Sequence, residues 1–543
     1  MKNKINTKTA IPLIISITLI IGIWIGSTFS NSNSHSFSAS DSKKLSQILG
    51  LIQQKYVEPI NTDSIIEKSL PDIIAQLDPH SFYIPAKDLQ NTNDDLNGSF
   101  SGVGISFRII NDTITILEVI PGGPCEKMGI LAGDRIISVD KQNVAGISIT
   151  NEKVMSLLKG PKDTKVKLGI KRSNSSKPYT FEITRGNIPV NSINAAYIIS
   201  PEIGYIKVDK FTDKTYQEFY QALNKLSKDG ASKFIIDLRG NGGGYMSAAL
   251  NMANEFLPAN KIIVKTKTRT DESPSISHNK GKYTNTEVVI LIDEFSASAS
   301  EILAGALQDH DRGLIIGRRS FGKGLIQNQF ELPDKSALRL TVGRYYTPSG
   351  RCIQKDYTLG DKKYDYDLID RINHGESVNA DSIKLNTNQK YNTSNGRIVY
   401  GGGGIMPDIF VPNDTSEISK YYLALNNAGM FQQFSFYYCD KHRKALNECK
   451  NVYKILNFLP TDNELLNLFT SFAIENKINY TQSDLNKSKN LILNITKALI
   501  ARDAIGTQAY YEVFNQYDPT VQSAISHIKK GDSKFPIKVN YKR

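Results

Sequence analysis

Two hydrophobic periods alternate along the chain, and the places where one gives way to the other mark its domains. Over 43–97, Leu45, Ile48, Leu49 and Ile52, then Ile65, Ile66, Leu70, Ile73 and Ile74, recur every three or four residues. That spacing lines one face of a helix and predicts a small helical N-terminal module. Over 98–186 the pattern turns β-rich, with strands expected at 104–110, 113–119 and 165–170. Pro121-Gly122-Gly123-Pro124 marks a sharp turn there, and one helix, 151–158, stops before Gly160-Pro161. Over 187–412 strands (204–208, 234–238, 288–292, 314–316, 325–330) alternate with helices (215–226, 247–256, 298–307). Such alternation predicts an α/β layered core. The hydrophilic stretch 354–396 reads as a surface insertion, and 413–543 as a helical C-terminal region.

The first 42 residues carry a different signal. Lys2, Lys4 and Lys8 precede an uncharged apolar run over 10–26, and a Ser/Asn-rich linker follows. The run is near the lower limit of about 17 residues for a membrane-spanning helix. It is read as an uncleaved transmembrane anchor; a signal peptide cleaved at Ser38-Ala39-Ser40 is the alternative. Either way the lysines stay cytoplasmic. The expected location is the inner membrane, single-pass, with the bulk of the chain periplasmic, or the periplasm itself after cleavage.

Composition narrows the classes. At 543 residues, several cores are needed; 40% hydrophobic and 22% charged residues describe a folded chain. The net charge of +12 is spread along the sequence, so it is read as a solvated surface and no nucleic-acid partner is expected. Cys125, Cys352, Cys439 and Cys449 fit no zinc spacing; Cys439 and Cys449 form either a local disulfide or two free thiols. The seven histidines are dispersed, and no metal or cofactor is expected.

Three segments carry candidate chemistry. Asp293-Glu294-Phe295-Ser296-Ala297-Ser298-Ala299-Ser300-Glu301 follows a buried strand and opens a helix. A serine there meets converging N–H groups that favour an oxyanion, although Ser298-x-x-Glu301 is also a plain capping box. In Ser320-Phe321-Gly322-Lys323-Gly324-Leu325-Ile326-Gln327, glycines flank a lysine whose burial would lower its pKa. Lys323 would then serve as a general base, with Gln327 orienting the amine; the plain alternative is a surface lysine in a turn. The glycines of 240–244, at a strand end, expose backbone N–H groups. A phosphate-binding loop fits poorly, because Gly324 stands where Gly317-x-x-x-x-Gly322-Lys323 needs a hydroxyl. A dinucleotide fingerprint fails at Tyr245.

Together these segments resemble the carboxyl-terminal (tail-specific) processing peptidases. The resemblance rests on Ser296-Ala297-Ser298-Ala299-Ser300-Glu301, Gln308-Asp309 and Phe321-Gly322-Lys323-Gly324, with Gln327 following. It implies a Ser298–Lys323 dyad, Gln327 as orienter, and an oxyanion hole at the N–H groups of Gly243 and Ala299. Asp237-Leu238-Arg239-Gly240-Asn241-Gly242-Gly243-Gly244 is similar to a family loop, with Gly242 in place of its proline. Residues 98–186 resemble a PDZ domain, with Gly102, Val103, Gly104 and Ile105 as the carboxylate-binding loop. The implied enzyme is a serine endopeptidase acting on proteins with free C-terminal tails; a homo-oligomer is left open. The alternative is a non-catalytic PDZ scaffold of the cell envelope.

Overall fold

The structure is a computed structural model that describes residues 39–533, apart from 173, 174, 176, 279, 280, 359, 360 and 385. The expected anchor at 10–26 lies outside the described residues. Among the described residues, no helix is long and apolar enough to cross a membrane.

The described residues up to Ile73 form a unit of their own. It holds helix α1 (Ala39–Lys55) and nearly all of α2 (Thr62–Ile74). Asn61 starts α2 by accepting from the amides of Asp63 and Ser64 at 2.9 and 3.2 Å, which satisfies two first-turn donors. No residue of α2 is fully buried.

The second unit, from Ile74 onward, contains everything else. It opens with a short strand, β1 (Phe82–Ile84), and helix α3 (Ala86–Asn97). A β-rich module follows: β2 (Ile105–Ile110), β3 (Thr113–Val119), β4 (Arg135–Val139), β5 (Lys165–Lys171) and β6 (Tyr179–Thr184) pair in that order. Helix α4 (Asn151–Leu158) drops Val154 and Leu158 onto Ile114, Ile116, Ile136, Val166 and Leu168 to close this core. Strand β2 sits at the sheet edge.

The central sheet has the order β7 (Ile193–Ser200), β8 (Ile203–Val208), β9 (Lys233–Asp237), β12 (Glu287–Ile292), β13 (Leu314–Gly317) and β16 (Ile409–Phe410). All neighbours are parallel except β7–β8. The inner strands are apolar on both faces because both are covered. Helices α5 (Thr215–Lys228), α6 (Met246–Phe256) and α7 (Ala299–Asp309) pack on one face through Phe219, Leu223, Met252, Phe256, Leu303 and Leu307. The other face carries Tyr205, Ile235, Val289 and Leu291, and Val521, Ala524, Ile525 and Ile528 of α11 (Pro519–Lys530) pack on it. The C-terminal region thus supplies one layer of the core.

A second, antiparallel sheet stands beside it, in the order β1, β15 (Ala337–Tyr346), β10 (Ile262–Thr268), β11 (Glu272–Ile276), with β14 (Leu325–Glu331) also on β15. The stretch expected to be a surface insertion instead contains helix α8 (Asp361–Asn373), whose Tyr364 and Arg371 are buried. The remaining C-terminal helices, with α9 (Met430–Lys441) and α10 (Gln482–Ile505) at their centre, enclose a separate aromatic-rich core around Phe431, Phe434 and Phe469.

Candidate active site

Three neighbouring parallel strands each deliver one loop of the site at their C-terminal ends, where open α/β sheets leave a crevice. Strand β9 runs into glycine loop 240–244, β12 into the turn at Ser298, and β13 into the loop bearing Lys323.

Ser298 sits just before α7 with φ 55° and ψ −112°. A non-glycine residue at positive φ is strained, and the surrounding contacts must hold it there. They do so asymmetrically. Ser296 and Ser300 are fully buried, and their hydroxyls donate at 2.9 Å to the carbonyls of Leu238 and Asn241. Ser298, between them, lines the open cleft. The three serines of the motif therefore have different tasks: two tie the turn to the glycine loop and one faces solvent.

The expected capping contact forms, with the Ser298 amide donating to Glu301 Oε2 at 2.8 Å. Glu301 does considerably more. Its Oε2 also accepts from the Lys323 amide at 2.9 Å, and Oε1 accepts from the Gly322 amide at 2.7 Å and the Ser320 hydroxyl at 2.5 Å. Burial pushes this carboxyl up to about 7, while those four donors favour the ionised form. Tyr345 completes the tie from the opposite side, since its hydroxyl bridges the carbonyls of Ser298, at 3.1 Å, and Lys323. One buried carboxylate thus grips the amides of both segments and one buried phenol their carbonyls.

The Lys323 amine donates to Gln327 Oε1 at 2.7 Å. Lys323 precedes β14 and Gln327 lies within it four residues on, an even spacing that puts the two side chains on the same side. Burial and the Arg339 charge push the lysine pKa down; Glu301 and Asp78 oppose the shift. Gln327 Nε2 donates to the His80 carbonyl, which fixes the amide with its oxygen toward Lys323. Ser298, Lys323, Gln327, Gly243, Ile302 and Tyr345 line one cleft of about 740 Å³. Among the described residues, no hydrogen bond joins the Ser298 hydroxyl to the Lys323 amine. Helix α3 reaches both sides of this cleft: Asn93 accepts from Gln329 Nε2 at 2.9 Å and Asn97 from the Tyr245 hydroxyl at 3.3 Å.

The family model of peptidase family S41 matches residues 202–364, and that of the PDZ domain residues 115–172. A family of unknown function matches 421–506. The carboxy-terminal-processing protease of Bartonella bacilliformis is 34% identical over 316 residues, 57% of this chain and 72% of that protein. The chain belongs to the carboxyl-terminal processing proteases of peptidase family S41. The carboxy-terminal processing protease CtpA of Bacillus subtilis is 33% identical over 323 residues, covering 59% of this chain and 68% of that protein. Among solved structures, the photosystem II D1 C-terminal processing protease aligns at 29% identity over 57% of this chain and 89% of that chain, with a TM-score of 0.32. The chain is therefore a serine peptidase with a PDZ domain.

The glycine loop of this family member departs from expectation at one atom. Gly243 packs where expected, so closely that an added Cβ would lie 2.8 Å from Ser298 Cβ. Its N–H, however, donates to Asn241 Oδ1 at 2.9 Å. The buried Asn241 is itself fixed, with Nδ2 donating to the Val208 carbonyl and its own carbonyl accepting from the Ala297 amide, both at 3.0 Å. In this conformation Gly243 is not an open oxyanion donor. The Ala299 amide, at the first turn of α7, has no acceptor among the described residues.

In the PDZ domain, Gly104 adopts φ 82°, a left-handed backbone suited to glycine, where the chain enters edge strand β2. The matched PDZ range begins at 115, after the 102–105 loop. The side chains of Val103 and Ile105 are buried in the domain core. Gly102 pairs with Gly186 in the short ribbon closing the domain. Cys439 and Cys449 are both free thiols, their sulfurs directed at the carbonyls of Ile500 and Ala445, so the disulfide alternative does not hold.

Sequence reasoning assigned no chemistry to the residues before 97, yet the turn at 78–81 stands beside Lys323. Asp78 accepts from the amides of His80 and Ser81, from the Ser81 hydroxyl and from the Thr341 hydroxyl, so it pins the turn to β15. Asp78 and His80 are polar residues flanking Pro79, a weak signal beside the helical pattern around them.

Proposed function

We propose that this protease cuts polypeptides through a Ser298–Lys323 dyad and selects them by their free C-termini through the PDZ domain. The observation carrying this reading is the double tie of Glu301 and Tyr345, which joins a strained, cleft-facing serine to a lysine of lowered pKa. Ser298 Oγ attacks the scissile carbonyl while its proton passes to the neutral Lys323 amine. The amine then protonates the departing amide nitrogen, leaving an acyl-serine. Water, deprotonated by the same amine, releases the product and restores Ser298. Gln327 holds the amine in line. The Ala299 N–H stabilises the oxyanion, and the Gly243 N–H joins it when Asn241 Oδ1 gives it up.

Gly102–Ile105 and the edge of β2 are assigned to the substrate carboxylate and to strand addition. The apolar run 10–26 is assigned to an inner-membrane anchor, with the remainder periplasmic. The test is to incubate the protein with an unfolded substrate carrying either a free or an amidated C-terminus. Ser298→Ala should abolish cleavage without changing the thermal midpoint, and amidation should slow it. Full activity in Ser298→Ala would overturn the nucleophile; equal rates on both substrates would overturn the reading of the terminus. A reporter fused to the C-terminus should be exported, and a cytoplasmic signal would refute the location.

A further inference from the structure

Gln327 can orient the lysine amine only if its own amide is prevented from turning over, and the group that prevents this is a backbone carbonyl on a turn far away in sequence. The position of that turn decides the geometry of the pair. His80, which owns the carbonyl, has its Nε2 2.6 Å from the Tyr364 hydroxyl, with the two rings edge-to-face at 5.2 Å. Burial, with Lys323 and Lys355 nearby, pushes the imidazole pKa down to about 4, against the opposing Asp78 charge. A neutral ring with its proton on Nδ1 accepts a hydrogen bond from the phenol, whose oxygen in turn accepts from Gln354 Nε2 at 3.4 Å.

That second contact leads back to the same place. Gln354 Oε1 accepts from the amide of Gly324, the residue after Lys323, at 2.8 Å. The Tyr364 ring also helps pack the lysine loop. Lys355 lies between it and Phe321, 3.9 and 4.1 Å from the two ring centroids, and the Lys355 amide donates to the Gly322 carbonyl at 2.9 Å. Tyr364 is only 4% exposed and borders the cleft without lining it.

We propose that Tyr364 is a positioning residue for the Lys323–Gln327 pair: through His80 it fixes the carbonyl that orients Gln327, and through Gln354 it fixes the backbone that carries Lys323. Helix α8 is then part of the base-holding apparatus of the enzyme. This inference rests on the dyad reading given above. Small displacements of a base are costly because proton transfer requires hydrogen-bond reach.

The experiment compares Tyr364→Phe, which keeps the ring and removes the hydroxyl, with the unaltered full chain on one unfolded substrate. The variant should lose about tenfold in kcat while KM and the thermal midpoint stay unchanged. In a Gln327→Ala background, the same substitution should cost clearly less than tenfold, because the path through His80 is already gone and only the path through Gln354 remains. Unchanged kcat, a parallel fall in kcat and thermal midpoint, or the full tenfold loss persisting without Gln327 would each overturn the proposal. Lys323→Ala runs alongside. If that variant keeps its activity, the dyad reading fails on its own, whatever Tyr364→Phe does.

Discussion

Lys323 acts in the proposed mechanism as a free amine, so its neighbours set the pH at which the enzyme works. Burial disfavours the ammonium first, and the Arg339 guanidinium adds like-charge repulsion; Glu301 and Asp78 pull the other way. The net direction is downward, so the amine appears at lower pH than the ordinary lysine value of about 10.4. Rate should rise with pH through a midpoint below that value. Arg339→Gln removes the repulsion and should move the midpoint to higher pH. A pH–rate profile of kcat/KM for both proteins checks this; a midpoint that stays put or moves lower would show that Arg339 does not tune the base. The lysine and serine were legible as residues because glycines and small side chains surround them at informative spacing. Glu301 was legible only as the capping partner of Ser298, and nothing in the local pattern gave Tyr345 a task. That each grips both catalytic segments depends on a crossing of strands that no local pattern encodes.

At the scale of elements, the apolar runs at 234–238, 288–292 and 314–316 disclosed the parallel strands because both faces of that sheet are covered. Strands β10 and β11 stayed hidden because Lys265, Lys267 and Glu272 interrupt their apolar pattern; β11 is the sheet edge, and β10 pairs with both β11 and β15. The 354–396 stretch misled because its polarity is spent inside: Arg371 donates to the carbonyls of Arg319 and Ser320, and Lys355 pairs with Asp367 at 3.1 Å. The glycine loop was legible as a turn, but its tightness has a second cause. Gly243 has φ 100°, and a Cβ there would meet the Ala297 carbonyl at 2.7 Å and the Ala299 amide at 3.0 Å. Gly243→Ala must therefore push the loop away from Ser298 or twist the turn. It should cost about 1–3 kcal/mol of stability and about a hundredfold in kcat. Denaturant unfolding together with steady-state kinetics measures both, and an alanine variant with native kcat would mean that the loop does not touch the reacting geometry.

Across the whole molecule, the C-terminal region reaches both the PDZ domain and the catalytic core. Arg443 donates to the Ala132 carbonyl, and Arg135 lies 3.6 Å from Asp440 and over the Phe436 ring, so α9 and its neighbours seat the PDZ domain. At the far end, α11 covers the second face of the central sheet. Asp518, at its N-cap, accepts from the Thr520 and Val521 amides and from Arg239 Nη1, the last at 2.8 and 3.0 Å. Arg239 is also bound to the buried Asp237 and directly precedes the glycine loop. An unpartnered Arg239 would leave charge buried under the loop beside Ser298, which costs far more than the pair contributes when intact. Two consequences follow from one contact. Removing 519–533 should expose the apolar face at Ile235, Val289 and Leu291 and yield an aggregating chain, because the helix that covers it is then gone. Asp518→Asn keeps the helix cap and the cover but weakens the hold on Arg239. It should remain folded, lose about 2–3 kcal/mol, and lower kcat more than KM. Size-exclusion chromatography of the truncated chain and kinetics of the point variant separate the two effects. A monomeric, active protein lacking α11 would show that the catalytic core is complete without its C-terminal layer.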